Sequence, residues 1–171
     1  LPGTEKLQAF TDAQGIARAF WRLGSDAGRG NNRVEVTSES VVGTTFFCAS
    51  ATAGPATQIN IGGGNNQRAE ASAPAPESLN IWVNDSCNPV SGIAVTFAVR
   101  QGGGKVNGLE ELTLNTDSSG HAEVAFTLGP LGGNNLVEAG FPGNPNAPAV
   151  FNIFGVVRDA KNPTSFSGLV S

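Results

Sequence analysis

Thr116-Asp117-Ser118-Ser119-Gly120-His121-Ala122-Glu123-Val124-Ala125-Phe126-Thr127-Leu128-Gly129 reads as a tight turn feeding a strand. An Asp at the head of such a turn accepts backbone N–H groups, and the Gly supplies a positive φ. Val124, Phe126 and Leu128 then fall on one face of an extended chain. The same phrase occurs 105 residues earlier, as Thr11-Asp12-Ala13-Gln14-Gly15-Ile16-Ala17-Arg18-Ala19-Phe20-Trp21-Arg22-Leu23-Gly24. Each copy is followed by a Gly-rich turn and Asn-Asn-x-Val-Glu, at Asn31–Glu35 and Asn134–Glu138. A period this long is a whole domain, beyond the roughly 20–50 residues of a solenoid unit. The chain therefore reads as an array of similar domains.

Outward from that phrase, period-two alternation between turn signals predicts strands at 57–61, 78–83, 93–100, 110–115, 121–128, 135–141 and 149–156. The turns between them are rich in Asp, Asn, Ser, Gly and Pro, as in Asp85-Ser86-Cys87-Asn88-Pro89 and Gln101-Gly102-Gly103-Gly104. Val95 and Phe97 on one strand, and Phe126 and Leu128 on another, are the expected core. Seven short strands without helical periodicity point to an all-β antiparallel sandwich. About a hundred residues suffice to bury one such core.

The first copy holds only the later strands, expected at 6–10, 16–23, 32–37 and 44–51. Nothing in it corresponds to Ser78–Arg100, so Phe20, Trp21, Phe46 and Phe47 would be poorly buried. The expected organisation is an incomplete sandwich at 1–53, a complete one at 54–157, and a linker with the first strand of a following domain at 158–171. The 171 residues are then a window on a longer multidomain chain; the alternative is completion of the half-domain by another molecule through strand donation.

Several ordered motifs resemble the group 1 bacterial immunoglobulin-like domain of intimin- and invasin-type adhesins. They are Val83-Asn84-Asp85, Asn88-Pro89-Val90, Gly92-Ile93-Ala94-Val95-Thr96-Phe97, Gly102-Gly103-Gly104, Thr116–Ala122, Leu128-Gly129 and Gly133-Asn134-Asn135-Leu136-Val137. The likeness covers 54–157 and the second half of another unit in 1–53. It implies tandem immunoglobulin-like sandwiches in a secreted or surface protein, used as stalk or adhesive segments. Cys87 stands where that family has a small residue, often Gly. A short likeness at Thr164–Val170 is to the first strand of a carboxypeptidase-regulatory-like domain.

Only 14% of residues are charged, with 23 Gly and 10 Pro, a balance that fits a turn-rich all-β secreted protein better than a typical soluble domain near 25% charged. The net charge of −4 and the scattered Lys and Arg exclude nucleic acid as an expected partner. No run approaches the roughly 18 apolar residues of a membrane span, so none of this segment is expected to insert.

Chemistry-bearing patterns are sparse. His121 is the single histidine and has no second His for a metal pair. No Gly-x-Ser-x-Gly elbow is present. Glu110 and Glu111 are adjacent, so on a strand they point apart. Asp12, Gly15, Asp117 and Gly120 are expected as structural turn residues, not calcium ligands, because calcium requires six to eight oxygens. Trp21 and Trp82 are expected on core or partly covered sheet faces, with sugar stacking as the alternative. The Gly triplets lack the Lys-Ser/Thr of a phosphate loop. No enzyme activity and no cofactor is expected. Cys48, flanked by Phe47 and Ala49, is expected to be buried. Cys87 is expected in an exposed turn at the far pole of the second sandwich, so an intrachain bridge is not anticipated, and both are candidates for an intermolecular disulfide. The expected partners are flanking domains of the same type, with self-association through the incomplete unit. The leading expectation is an extracellular stalk or adhesive module; the alternatives are a self-assembling filament subunit and a carbohydrate-binding accessory module.

Overall fold

The computed structural model describes residues 6–39, 41–158 and 166–167. Backbone contacts divide the chain into unit 1, Leu1–Ala51, and unit 2, Thr52–Ser171.

Unit 2 is an all-β sandwich. One layer has the order β3 (Gln58–Gly63), β5 (Leu79–Asn84), β9 (His121–Val124). The other runs β13 (Phe166–Ser167), β12 (Ala149–Arg158), β11 (Gly133–Gly140), β6 (Ala94–Gln101), β8 (Glu111–Asn115), and β4 (Gln67–Glu70) also pairs with β12. A short pair, β7 (Lys105–Val106) with β10 (Phe126–Thr127), closes one side. Two packed sheets in this strand order are an immunoglobulin-like arrangement. Pairing is antiparallel except for β4 with β12, which is parallel over Gln67↔Ile153 to Glu70↔Val156.

Alternation builds the core. Leu79, Ile81 and Val83 of β5 are fully buried, and Trp82 between them is exposed. Val95 and Phe97 of β6, Val137 and Ala139 of β11, and Phe151 and Ile153 of β12 are fully buried from the other sheet. Phe126 and Leu128 complete the same cluster. Three fully buried phenylalanine rings, Phe97, Phe126 and Phe151, each removed from water at about 1.5–3 kcal/mol, dominate this core.

The expected strand 121–128 is divided, because it changes partner. Leu79↔Val124 is the last pair with β5, and Phe126↔Val106 begins the pair with β7. Between them the Ala125 amide donates to Asn107 Oδ1 and the Ala125 carbonyl accepts from the Asn107 amide, both at 2.8 Å. In the tail, Phe166–Ser167 pairs with Val157–Arg158; the rest of 159–171, including most of the Thr164–Val170 likeness, lies outside the described residues.

In unit 1 the described strands are β1 (Gly28–Ser38) and β2 (Val41–Ala51), an antiparallel pair. The strands expected at 6–10 and 16–23 are not strands. The reason lies in what their counterparts in unit 2 pair with. β8 pairs with β6 and β9 with β5, and unit 1 contains no equivalent of β5 or β6. β11 and β12 pair with each other, and their counterparts β1 and β2 are both present. Only the pair with both members present is formed.

Candidate functional site

The repeated phrase folds into the same hydrogen-bonded turn twice. The Asp117 Oδ1 accepts the Ser119 amide at 2.8 Å and the His121 amide at 3.0 Å. The Asp12 Oδ1 accepts the equivalent Gln14 amide at 3.0 Å and Ile16 amide at 2.9 Å. Gly15 and Gly120 have φ of 76° and 74°. Bonds from backbone N–H groups, His121 first and Ser119 second, hold the Asp117 carboxyl below the usual carboxylate range. For Asp12 the Ile16 amide is the main cause, assisted by Gln14 and by Arg18 at 3.0 Å. In both, one carboxylate oxygen accepts two amides of its own turn, a structural arrangement.

A second clamp is also repeated. The Gly129 amide donates to the buried Asn135 Oδ1 at 2.9 Å, and the Gly24 amide to Asn32 Oδ1 at 3.0 Å. Strand register repeats too: Asn32↔Ala49, Val34↔Phe47 and Val36↔Thr45 match Asn135↔Ile153, Val137↔Phe151 and Ala139↔Ala149. The Asp turn, the Asn clamp and the hairpin register of unit 1 thus repeat those of unit 2, while the strands that flank them in unit 2 are not repeated. Val34, Val36 and Phe47 of unit 1 occupy core-facing register positions, yet Val36 is 45% and Phe47 60% exposed.

Asp85 anchors the entry to unit 2. Its Oδ2 accepts the Gly54 amide at 2.6 Å, and its Oδ1 accepts the amides of Cys87 at 2.9 Å and Asn88 at 2.7 Å. The Asn88 side chain, followed by these amides, holds the Asp85 carboxyl far below the usual range. The Thr57 amide adds a bond to the Asn84 carbonyl at 2.9 Å. This geometry corrects the expectation for Cys87: its turn lies at the pole where the chain enters unit 2, not the far pole, because β3 and β5 are antiparallel and Gln58 pairs with Asn84. The expectation of a buried Cys48 is also corrected. Cys48 pairs with Arg33, on the face opposite Val34 and Phe47, and is exposed. Both thiols are free and exposed.

His121 is exposed at the head of β9, and Glu110 is engaged by Lys105 at 2.9 Å. Among the described residues no group of three or more His, Cys, Asp or Glu could hold a metal ion. An open concavity on the β6–β11 face, lined by Thr96, Arg100, Glu138 and Phe141, has its charges paired at 2.8 Å and its Thr96 hydroxyl hydrogen-bonded to that of Thr113. What sequence reasoning missed is β4 and its parallel pairing with β12. Gln67-Arg68-Ala69-Glu70 shows no apolar alternation, so its place is set by the partner edge, where Asn65 Oδ1 also accepts the Asn152 amide at 2.8 Å.

No family model and no curated protein matches the chain. Among solved structures the chain is similar to the D00-D0 domain of intimin, at 15% identity and a TM-score of 0.42, over 65% of this chain. The matched region spans 56% of that structure's length. The sandwich assignment rests on the sheets described above.

Proposed function

We propose that the chain is a non-enzymatic segment of tandem immunoglobulin-like modules in a secreted or surface-displayed protein, working as a spacer or adhesive stalk that holds tension. The observation that carries this reading is the parallel pair β4–β12. Tension on unit 2 from its two ends enters β4 from its N-terminal side and β12 from its C-terminal side. In a parallel pair these points lie at opposite ends of the ladder. The bonds between Gln67–Glu70 and Ile153–Val156 are then loaded together in shear, instead of being unzipped one at a time. The entry segment is held as well, by Gly54 on Asp85 and Thr57 on Asn84.

Single-molecule pulling on the full chain tests this. Ala69→Pro removes a ladder donor on β4. It is expected to lower the force at which unit 2 opens much more than it lowers the thermal midpoint. Equal unfolding forces for the two proteins would remove the basis of the proposal.

A second reading, carbohydrate binding, is favoured by one observation. Trp82 is exposed on the outer face of β5, opposite Asn60 on β3 and His121 on β9. An aromatic ring flanked by polar side chains on a flat sheet suits a sugar face. Glycan-array binding abolished by Trp82→Ala with unchanged stability would support it, and no binding to any glycan would discard it.

A further inference from the structure

We propose that the open face of unit 1 is a docking surface for a complete first half-sandwich, a segment bearing strands equivalent to β3, β4, β5 and β6, and not for a single donated strand. The inference stands on the equivalence of the two copies and is independent of any role under tension, so the two proposals fail separately.

The face is defined by register. Val34, Val36 and Phe47 sit where unit 2 has Val137, Ala139 and Phe151, all fully buried there. Trp21 stands in the repeat where Phe126 stands, and is 39% exposed against 1%. Among the described residues β1 pairs with no strand but β2, and its other edge, at Val34 and Val36, corresponds to the edge of β11 that receives β6 through Val137↔Val99 and Ala139↔Phe97. Unit 2 therefore shows what covers such a face: its own first half.

A lone strand at that edge would not complete the unit. Residues 16–19 match β9, which needs a β5 equivalent, and residues 6–10 match β8, which needs a β6 equivalent. Both segments are non-strand in unit 1 although the Asp12 turn between them is formed. Only a partner carrying both strands converts them. Added copies of this chain do not satisfy the demand either. These 171 residues hold one first half, in unit 2, and two second halves, so filling unit 1 from a copy of them would strip that copy's unit 2. The occupant is a segment of about the composition of Thr52–Lys105, in this polypeptide or another.

The test uses this chain's own first half. A second copy of Thr52–Lys105 is placed before Leu1, which restores the 105-residue offset of the repeat. Trp82→Phe is made wherever that residue occurs, leaving Trp21 as the sole tryptophan. The expected result is a blue shift of Trp21 emission, a severalfold fall in acrylamide quenching, and a second cooperative unfolding transition that Val34→Asp abolishes while unit 2 still unfolds as before. The same segment is also supplied as a separate peptide to the 171-residue Trp82→Phe chain, where Trp21 should again become protected. Trp21 remaining fully quenchable in both formats overturns the proposal. So does protection of Trp21 by an Ala94–Gln101 peptide alone, or by concentrating the 171-residue chain with no addition.

Discussion

Gly15 and Gly120 share a φ near +75° and a place in the repeat, but only one of them touches a second element. A Cβ on Gly120 would meet the Val83 carbonyl oxygen at 2.6 Å; one on Gly15 meets nothing. Gly120→Ala should therefore destabilise unit 2 by more than the roughly 1–2 kcal/mol of a left-handed backbone alone. Gly15→Ala should leave the thermal midpoint of unit 2 where it is. Calorimetry of both variants checks the pair. Asp85 and Asp117 set a pH dependence. Their carboxyls are held below the unfolded value of about 3.9. The stability they contribute is fully present above that value and is lost as pH falls through the lowered folded values. Unit 2 should lose stability from about pH 4 downward, and Asp85→Asn should flatten that acid limb. An unchanged slope in denaturant titrations at pH 3 and pH 7 would contradict the anchoring role of Asp85.

At the level of the strand, burial decides cost. Phe97→Ala should cost about 3–5 kcal/mol, since its ring is fully enclosed between the sheets. Phe46→Ala should not lower the midpoint of unit 2: that ring is 43% exposed, with the Arg33 guanidinium 3.5 Å above it, on a hairpin in unit 1. Chemical denaturation reads both. The elements differ in how visible they were in the sequence, for a physical reason. β5, β6, β11 and β12 alternate because one face of each is buried, and that alternation is written in Ile81, Val83, Val95, Phe97, Val137 and Phe151. β4 is polar except for Ala69, which packs against the core, and it exists through its partner edge, so no local pattern announces it. Residues 16–23 present the converse. Their alternation is as clear as that of 121–128, but a strand is a relation between two segments, and the second is missing. The Asp turns were legible because their amide bonds are local, two and four residues along the chain; the Asn clamps, which reach back six and eight residues across a Gly-rich turn, were not. Nor was Asp85's hold on Gly54, since it joins residues 31 apart.

Across the molecule, order should be uneven. A two-stranded hairpin is marginal in water, whereas a two-layer sandwich is not. Hydrogen exchange of the full chain should show strong protection for β5, β6, β11 and β12, and rapid exchange throughout β1 and β2. Comparable protection in the hairpin would mean that its apolar face is already covered. The pairing of β4 with β12 and the bond between Asn65 and Asn152 join residues far apart in the chain, 87 positions in the latter case. For a polypeptide that emerges from a ribosome or a translocation pore one residue at a time, this sets a clock. The ladder that seals the sandwich cannot form until residues 153–156 have appeared, late in the making of the domain. Until then β4 has no edge to join, and the sandwich closes only after more than eighty further residues have been made.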